Sequence, residues 1–121
     1  MAVRGLRGAI TVPENSEKAI LEGATLLLQT MIDSNQVPPE EICSIFFSVT
    51  PDLDKVFPAK GARHLGLSDT PLFCMTEIPV RGDITRCIRI LIQFNTKKSQ
   101  KQIKPVYLRE AVKLRPDLAK K

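Results

Sequence analysis

Aromatic residues make up only 5% of the 121 residues; tryptophan is absent, and tyrosine and histidine occur once each. Single-strand nucleic-acid binders stack bases on aromatic rings, so this scarcity argues against that class. The three cysteines, Cys43, Cys74 and Cys87, are odd in number, widely spaced and set in apolar segments. This pattern argues against a secreted disulfide framework, and a reducing compartment is expected. There is no CxxC pair and His64 stands alone, so a closed Cys/His zinc site lacks its ligands. His64 would also be the only imidazole for a Ser-His-Asp or Cys-His arrangement, and no GxSxG elbow surrounds any serine. The glycines of RGLRG at 4–8 do not make a GxGxxG loop and no helical pattern follows them, so nucleotide binding has no support. No apolar run approaches the roughly 18 residues of a membrane span, and Arg4 and Arg7 are not followed by a signal-peptide core. A soluble, cytoplasmic protein with no membrane partner is expected.

What is present suffices for one domain over residues 1–121: 43% of the residues are hydrophobic, and a chain of this size buries roughly two-thirds of its unfolded surface. Lys and Arg number 18 against 13 Asp and Glu, a net charge of +5 that points to an anionic partner. Nucleic acid, acidic membranes and small carboxylates or phosphates all satisfy such an excess, so placement must decide. The run Lys97, Lys98, Lys101, Lys104 has no interleaved aromatics and reads as a solvated loop, not a nucleic-acid patch.

Residues 2–12 are small or β-branched without a helical period and Pro13 follows, which predicts a strand and a turn. Ser16 can cap a helix starting at Glu17, with Ile20, Ala24, Leu27, Leu28 and Met31 forming its apolar face up to Asp33-Ser34-Asn35. A helical turn is expected at 37–41, then a strand in which Ile45, Phe47 and Val49 alternate with Ser44, Phe46 and Ser48. Residues 58–66 read as a short helix between Pro58 and Gly66, with Lys60 and Arg63 on one side. Further strands are expected at 72–77 and from about residue 86. In the latter Ile88, Ile90, Ile92 and Phe94 share one face, while Cys87, Arg89, Leu91 and Gln93 share the other. Beyond residue 104 the pattern is ambiguous. This order predicts an α+β sandwich, a mixed sheet packed by helices.

The chemically suggestive residues are cations in structured settings, with Glu77 at a strand end and Tyr107. From composition alone, Arg7 reads as an exposed strand residue and Lys60 and Arg63 as the solvated face of a helix in preference to ligand contacts. Arg89 differs, because a cation inside an apolar strand is costly without an anion; pairing with Glu77 and binding of a ligand both answer that cost and can coexist. Cys74, between Phe73 and Met75, reads as buried filler with its backbone still available for contacts.

Five separated segments carry a resemblance. RGLRGA at 4–9 with Thr11-Val12, TPDLDKVFPAKGAR at 50–63, CMTE at 74–77, CIR at 87–89 and YLREAVKLRPDL at 107–118 together resemble the monofunctional AroH-class chorismate mutases across nearly the whole chain. The resemblance implies a homotrimeric pseudo-α/β barrel with active sites between subunits, and rearrangement of chorismate to prephenate on the route to phenylalanine and tyrosine, with no cofactor or metal. It implies that Arg7 and Tyr107 hold substrate, Arg89 faces the ether oxygen, and Glu77 and Cys74 contact the substrate hydroxyl. Phe57, Ala59, Lys60, Arg63 and Leu114 would form the pocket wall and entrance, and Arg115 the segment closing over it. Phe73 stands where the family pattern has a smaller polar residue. A trimeric imine-deaminase-like or other small-carboxylate-binding protein of similar fold is the alternative, and its motifs are not found.

Overall fold

The computed structural model describes residues 1–119 of the chain. Five strands, β1 (Ala2–Thr11), β2 (Ile42–Val49), β3 (Leu72–Thr76), β4 (Cys87–Thr96) and β5 (Val106–Leu108), form one mixed sheet in the order β3-β2-β4-β1-β5. β4 runs antiparallel to both neighbours, while β2 with β3 and β1 with β5 are parallel pairs. Parallel neighbours need a crossover, and α2 (Lys60–His64) lies within the one between β2 and β3. The long helix α1 (Glu17–Asn35) joins β1 to β2, and a last short helix, α3 (Pro116–Ala119), follows β5.

The helix starts where expected: Ser16 has extended backbone and its Oγ accepts from the Ala19 N–H at 3.1 Å. Its apolar stripe packs on one sheet face against Leu6 and Ile10 of β1, Ile45 and Phe47 of β2, and Ile88, Ile90, Ile92 and Phe94 of β4, all buried. Gly23 permits the close approach: a Cβ there would stand 2.5 Å from Val12 Cγ1. Among the described residues no long helix covers the opposite sheet face, where a small cluster of Ala9, Cys87 and Ala111 is buried.

Three features differ from the sequence expectation. Cys43 is exposed, because the β2–β4 register shifts between Ile42 and Ser44 and turns it outward. The short helix spans only Lys60–His64, with turns from Phe57 to Ala59 leading into it. The ambiguous tail resolves into β5, a 3-10 turn (Arg109–Lys113) and α3. Among the described residues no helix is long and apolar enough to cross a membrane.

β5 is held in place from a distance. Asn35, 2% exposed at the end of α1, donates from Nδ2 to the Lys104 carbonyl at 2.9 Å and accepts the Lys104 N–H at 2.7 Å. Lys98 Nζ adds a bond to the Asn35 carbonyl at 3.1 Å. Removing the amide strands two backbone groups, so Asn35→Ala is expected to cost about 1–3 kcal/mol. A urea midpoint unchanged from the parent chain would contradict this.

Candidate active site

Strand register assembles the open face. Arg89, on the central strand, lies across from Ser48 on one side and Ala9 on the other; beyond these stand Met75 and Tyr107. The next row is Phe73, Phe46, Leu91 and Arg7. A cavity of about 630 Å³ opens over these rows, with Arg7, Arg89 and Arg115 in its wall beside Phe46, Ser48, Met75, Leu91, Tyr107 and Leu114. Three arginines in a recess otherwise mostly apolar suit an organic anion with a hydrophobic body.

Arg89 is held by acids at its rim. Its Nε is buried and lies 2.6 Å from Glu77 Oε2, yet the N–H does not aim along that line, so the contact is a charge pair without an aligned hydrogen bond. Nη2 lies 3.5 Å from Asp83 Oδ2. Glu77 is fixed because its backbone N–H continues the sheet by donating to the Val49 carbonyl at 2.7 Å, while Ser48 Oγ donates to its other carboxylate oxygen at 3.4 Å. The pairing leaves the Arg89 side chain 37% exposed, so it still faces the recess while held by Glu77. Arg7 and the Tyr107 hydroxyl make no side-chain hydrogen bond or ion pair among the described residues. Arg115 is gripped by Asp117, Nε to Oδ1 at 3.2 Å and Nη2 to Oδ2 at 3.0 Å.

Apart from Phe73, which belongs to the open face, the remaining candidates lie on the other side of the sheet. Cys74 faces the helical layer opposite Phe47 and lines a second cavity, about 480 Å³, with Phe57, Pro58 and Lys60. Burial pushes its thiol pKa up, offset in part by a hydrogen bond with the Ala59 backbone. Arg63 lies exposed on α2 and, like Phe73, lines neither cavity. Phe73 instead packs edge-on against Phe46, ring centres 6.2 Å apart at 75°. One chain thus gathers Arg7, Glu77, Arg89, Tyr107, Leu114 and Arg115, and separately Phe57, Ala59, Lys60 and Cys74. Met75, on the edge strand, borders both cavities.

Ser48, Asp83, Phe46 and Leu91 were not singled out from the sequence. Alternation put Ser48 and Phe46 on the less buried face of their strand and Leu91 beside Arg89, but only the pairing register makes them neighbours. Nothing in the sequence around Asp83 announces its contact.

Such a recess brings positioned cations and one fixed carboxylate together over a partly apolar floor, an arrangement able to receive a small organic anion. Comparison with known proteins narrows it. A model of the family described as chorismate mutase type I matches residues 3–118. The chain is 46% identical over 117 residues to chorismate mutase AroH of Thermus thermophilus, covering 96% of each, and 43% identical over 120 residues to chorismate mutase AroH of Bacillus subtilis (strain 168), covering 98% of this chain and 94% of that one. A solved chorismate mutase from Clostridium thermocellum is similar in structure with a TM-score of 0.87 at 44% identity, covering 88% of this chain and 96% of the other. The chain belongs to the chorismate mutase type I family.

Cys87, immediately below Arg89 on the same strand face, has its thiol pushed from the usual 9.0 to about 11 by burial, against the attraction of the Arg89 guanidinium. The folded thiol therefore keeps its proton where the unfolded one ionises, so unfolding free energy is expected to fall as pH rises from 9 to about 11. At pH 8 a maleimide should modify exposed Cys43 and spare Cys87 until the chain is unfolded; equal labelling of both would contradict the burial.

Proposed function

We propose that this chain is a cytoplasmic chorismate mutase in aromatic amino-acid biosynthesis, a single-domain isomerase that converts chorismate to prephenate by an intramolecular Claisen rearrangement. The observation that carries the mechanism is Arg89, fixed on the central strand against Glu77 at 2.6 Å and facing a cavity with two further arginines. The rearrangement breaks an ether C–O bond and forms a C–C bond within one molecule, and no proton is transferred. As the C–O bond lengthens ahead of C–C formation, negative charge grows on the ether oxygen and positive charge on the ring. An N–H of Arg89 placed at that oxygen stabilises the developing charge, an effect comparable to an oxyanion-hole donor at about 2.7–4 kcal/mol. Glu77 accepts the ring hydroxyl's hydrogen bond and lies near the growing positive charge. Arg7, Tyr107 and Arg115 hold the carboxylates so that the flexible side chain stays folded over the ring, which removes entropy from the barrier before reaction. The net charge of +5 favours encounter with a dianion.

The helix-side residues Phe57, Ala59, Lys60, Arg63 and Cys74 serve the same substrate from a neighbouring copy. Three chains arranged with open sheet faces inward form a barrel in which one subunit's Arg89 recess meets the next subunit's 57–63 segment. Two observations support this assembly: the candidates divide between opposite sides of the sheet, and the open face exposes Phe73, Met75 and Leu91. Phe73 borders the meeting edge and replaces a polar contact with an apolar one.

Purified protein with a chelator present is expected to consume chorismate and form prephenate above the spontaneous rate. Arg89→Ala should lower kcat at least about a hundredfold without unfolding the chain; retention of activity would remove the assigned role. Arg89→Ala mixed during refolding with a Lys60→Ala/Arg63→Ala double variant should recover roughly a quarter of wild-type turnover, because random assembly leaves that share of between-chain sites intact. No recovery in mixed assemblies would place the whole site within one chain.

A further inference from the structure

Asp83 touches one cation and shares a cavity with two others. Its Oδ2 lies 3.5 Å from Arg89 Nη2, so the guanidinium faces two carboxylates, those of Glu77 and Asp83. Glu77 is built into the sheet through its backbone, whereas Asp83 rides on the connection 77–86, next to Gly82 with a φ of +82°. The same residue lines an outer cavity of about 810 Å³ that Arg86 and Arg109 also line. Those two arginines have left-handed backbone, φ 48° and 57°, and anchor their side chains on adjacent carbonyls: Arg86 Nε to Val12 at 3.3 Å, Arg109 Nη1 to Thr11 at 3.0 Å. Neither has a carboxylate at ion-pair distance among the described residues; the nearby Glu110 is taken by Lys113 at 2.6 Å.

We propose that Asp83 is a displaceable counter-ion of Arg89, a positioning residue that holds the guanidinium in the empty site and moves to Arg86 and Arg109 when an anionic substrate arrives. The proposal rests on Arg89 being the cation that meets the substrate. The physical reason is competition. A dianion entering a recess whose central cation faces two carboxylates meets repulsion from both, and the built-in Glu77 cannot leave. Asp83 can, and the unpaired arginines behind it stabilise the displaced carboxylate. Its second oxygen already accepts the Ile84 N–H at 2.8 Å, which an asparagine side chain can also do, so Asp83→Asn removes the charge and keeps the turn.

The test is steady-state chorismate turnover against ionic strength. Asp83→Asn is expected to lower KM by about two- to fivefold at low salt with kcat within a factor of two, the range of a partly exposed ion pair, and the difference should close as salt is raised. Arg86→Gln/Arg109→Gln should raise KM in the parent chain but not in the Asp83→Asn background; a purely structural effect of those substitutions would appear in both. An unchanged or raised KM in Asp83→Asn, or equal effects of the arginine substitutions in the two backgrounds, overturns the proposal while leaving the mutase assignment intact. A wild-type chain without chorismate turnover removes both.

Discussion

A guanidinium fixed on the middle strand of a sheet, with carboxylates at its rim and open space over its face, is the constraint around which the molecule is arranged. β4 is the one strand with antiparallel neighbours along nearly its full length on both sides, so its backbone is the best restrained in the sheet. Arg89 is flanked there by Ser48 and Ala9, both too small to crowd a large planar cation. Glu77 completes the arrangement from the end of β3, and its placement depends on one further ladder bond to Val49. A charge held this way needs little rearrangement when an oxygen beside it becomes negative, and that preorganisation is the main means by which a site without proton transfer accelerates a reaction.

The division of the candidates between two sheet faces follows from the same architecture. α1 and the buried side chains beneath it fill most of one face, so the recesses form on the other face and, on the helical side, towards the β3 edge. Side chains on the two faces of one sheet point away from each other with the backbone between them, so they cannot grip one small molecule directly. In the assembly proposed above, a neighbouring copy supplies at its edge what the chain's own helical layer keeps out of reach. Met75, which borders both cavities from the edge strand, marks the seam where such copies would meet.

Much of this was legible in the sequence because one side of each element is buried. The three-and-four spacing from Ile20 to Met31 fixed α1, and the alternation from Ile88 to Phe94 fixed β4 and placed Arg89 away from the core. Segments whose form depends on partners were not legible. Val106 to Leu108 is three residues long and is a strand only because β1 lies alongside it. The outward turn of Cys43 comes from a register shift that no single strand encodes. Arg89 and Glu77 could be paired on charge and burial cost, but Asp83 and Ser48 reach that pair through loop path and strand register. The family resemblance grouped the site residues, yet the split of Cys74 and Lys60 from Arg89 emerged only in three dimensions.

Tyr107 stands beside Ala9, two residues along the strand from Arg7, because the last strand pairs with the first. Synthesis must therefore continue through every other strand after Arg7 before its companion on β5 exists. Contacts between such distant parts of a sequence form slowly and late. Until β5 has docked on β1, the recess lacks the wall that Tyr107 supplies. The open face is therefore a late product of folding, finished by the shortest strand of the sheet.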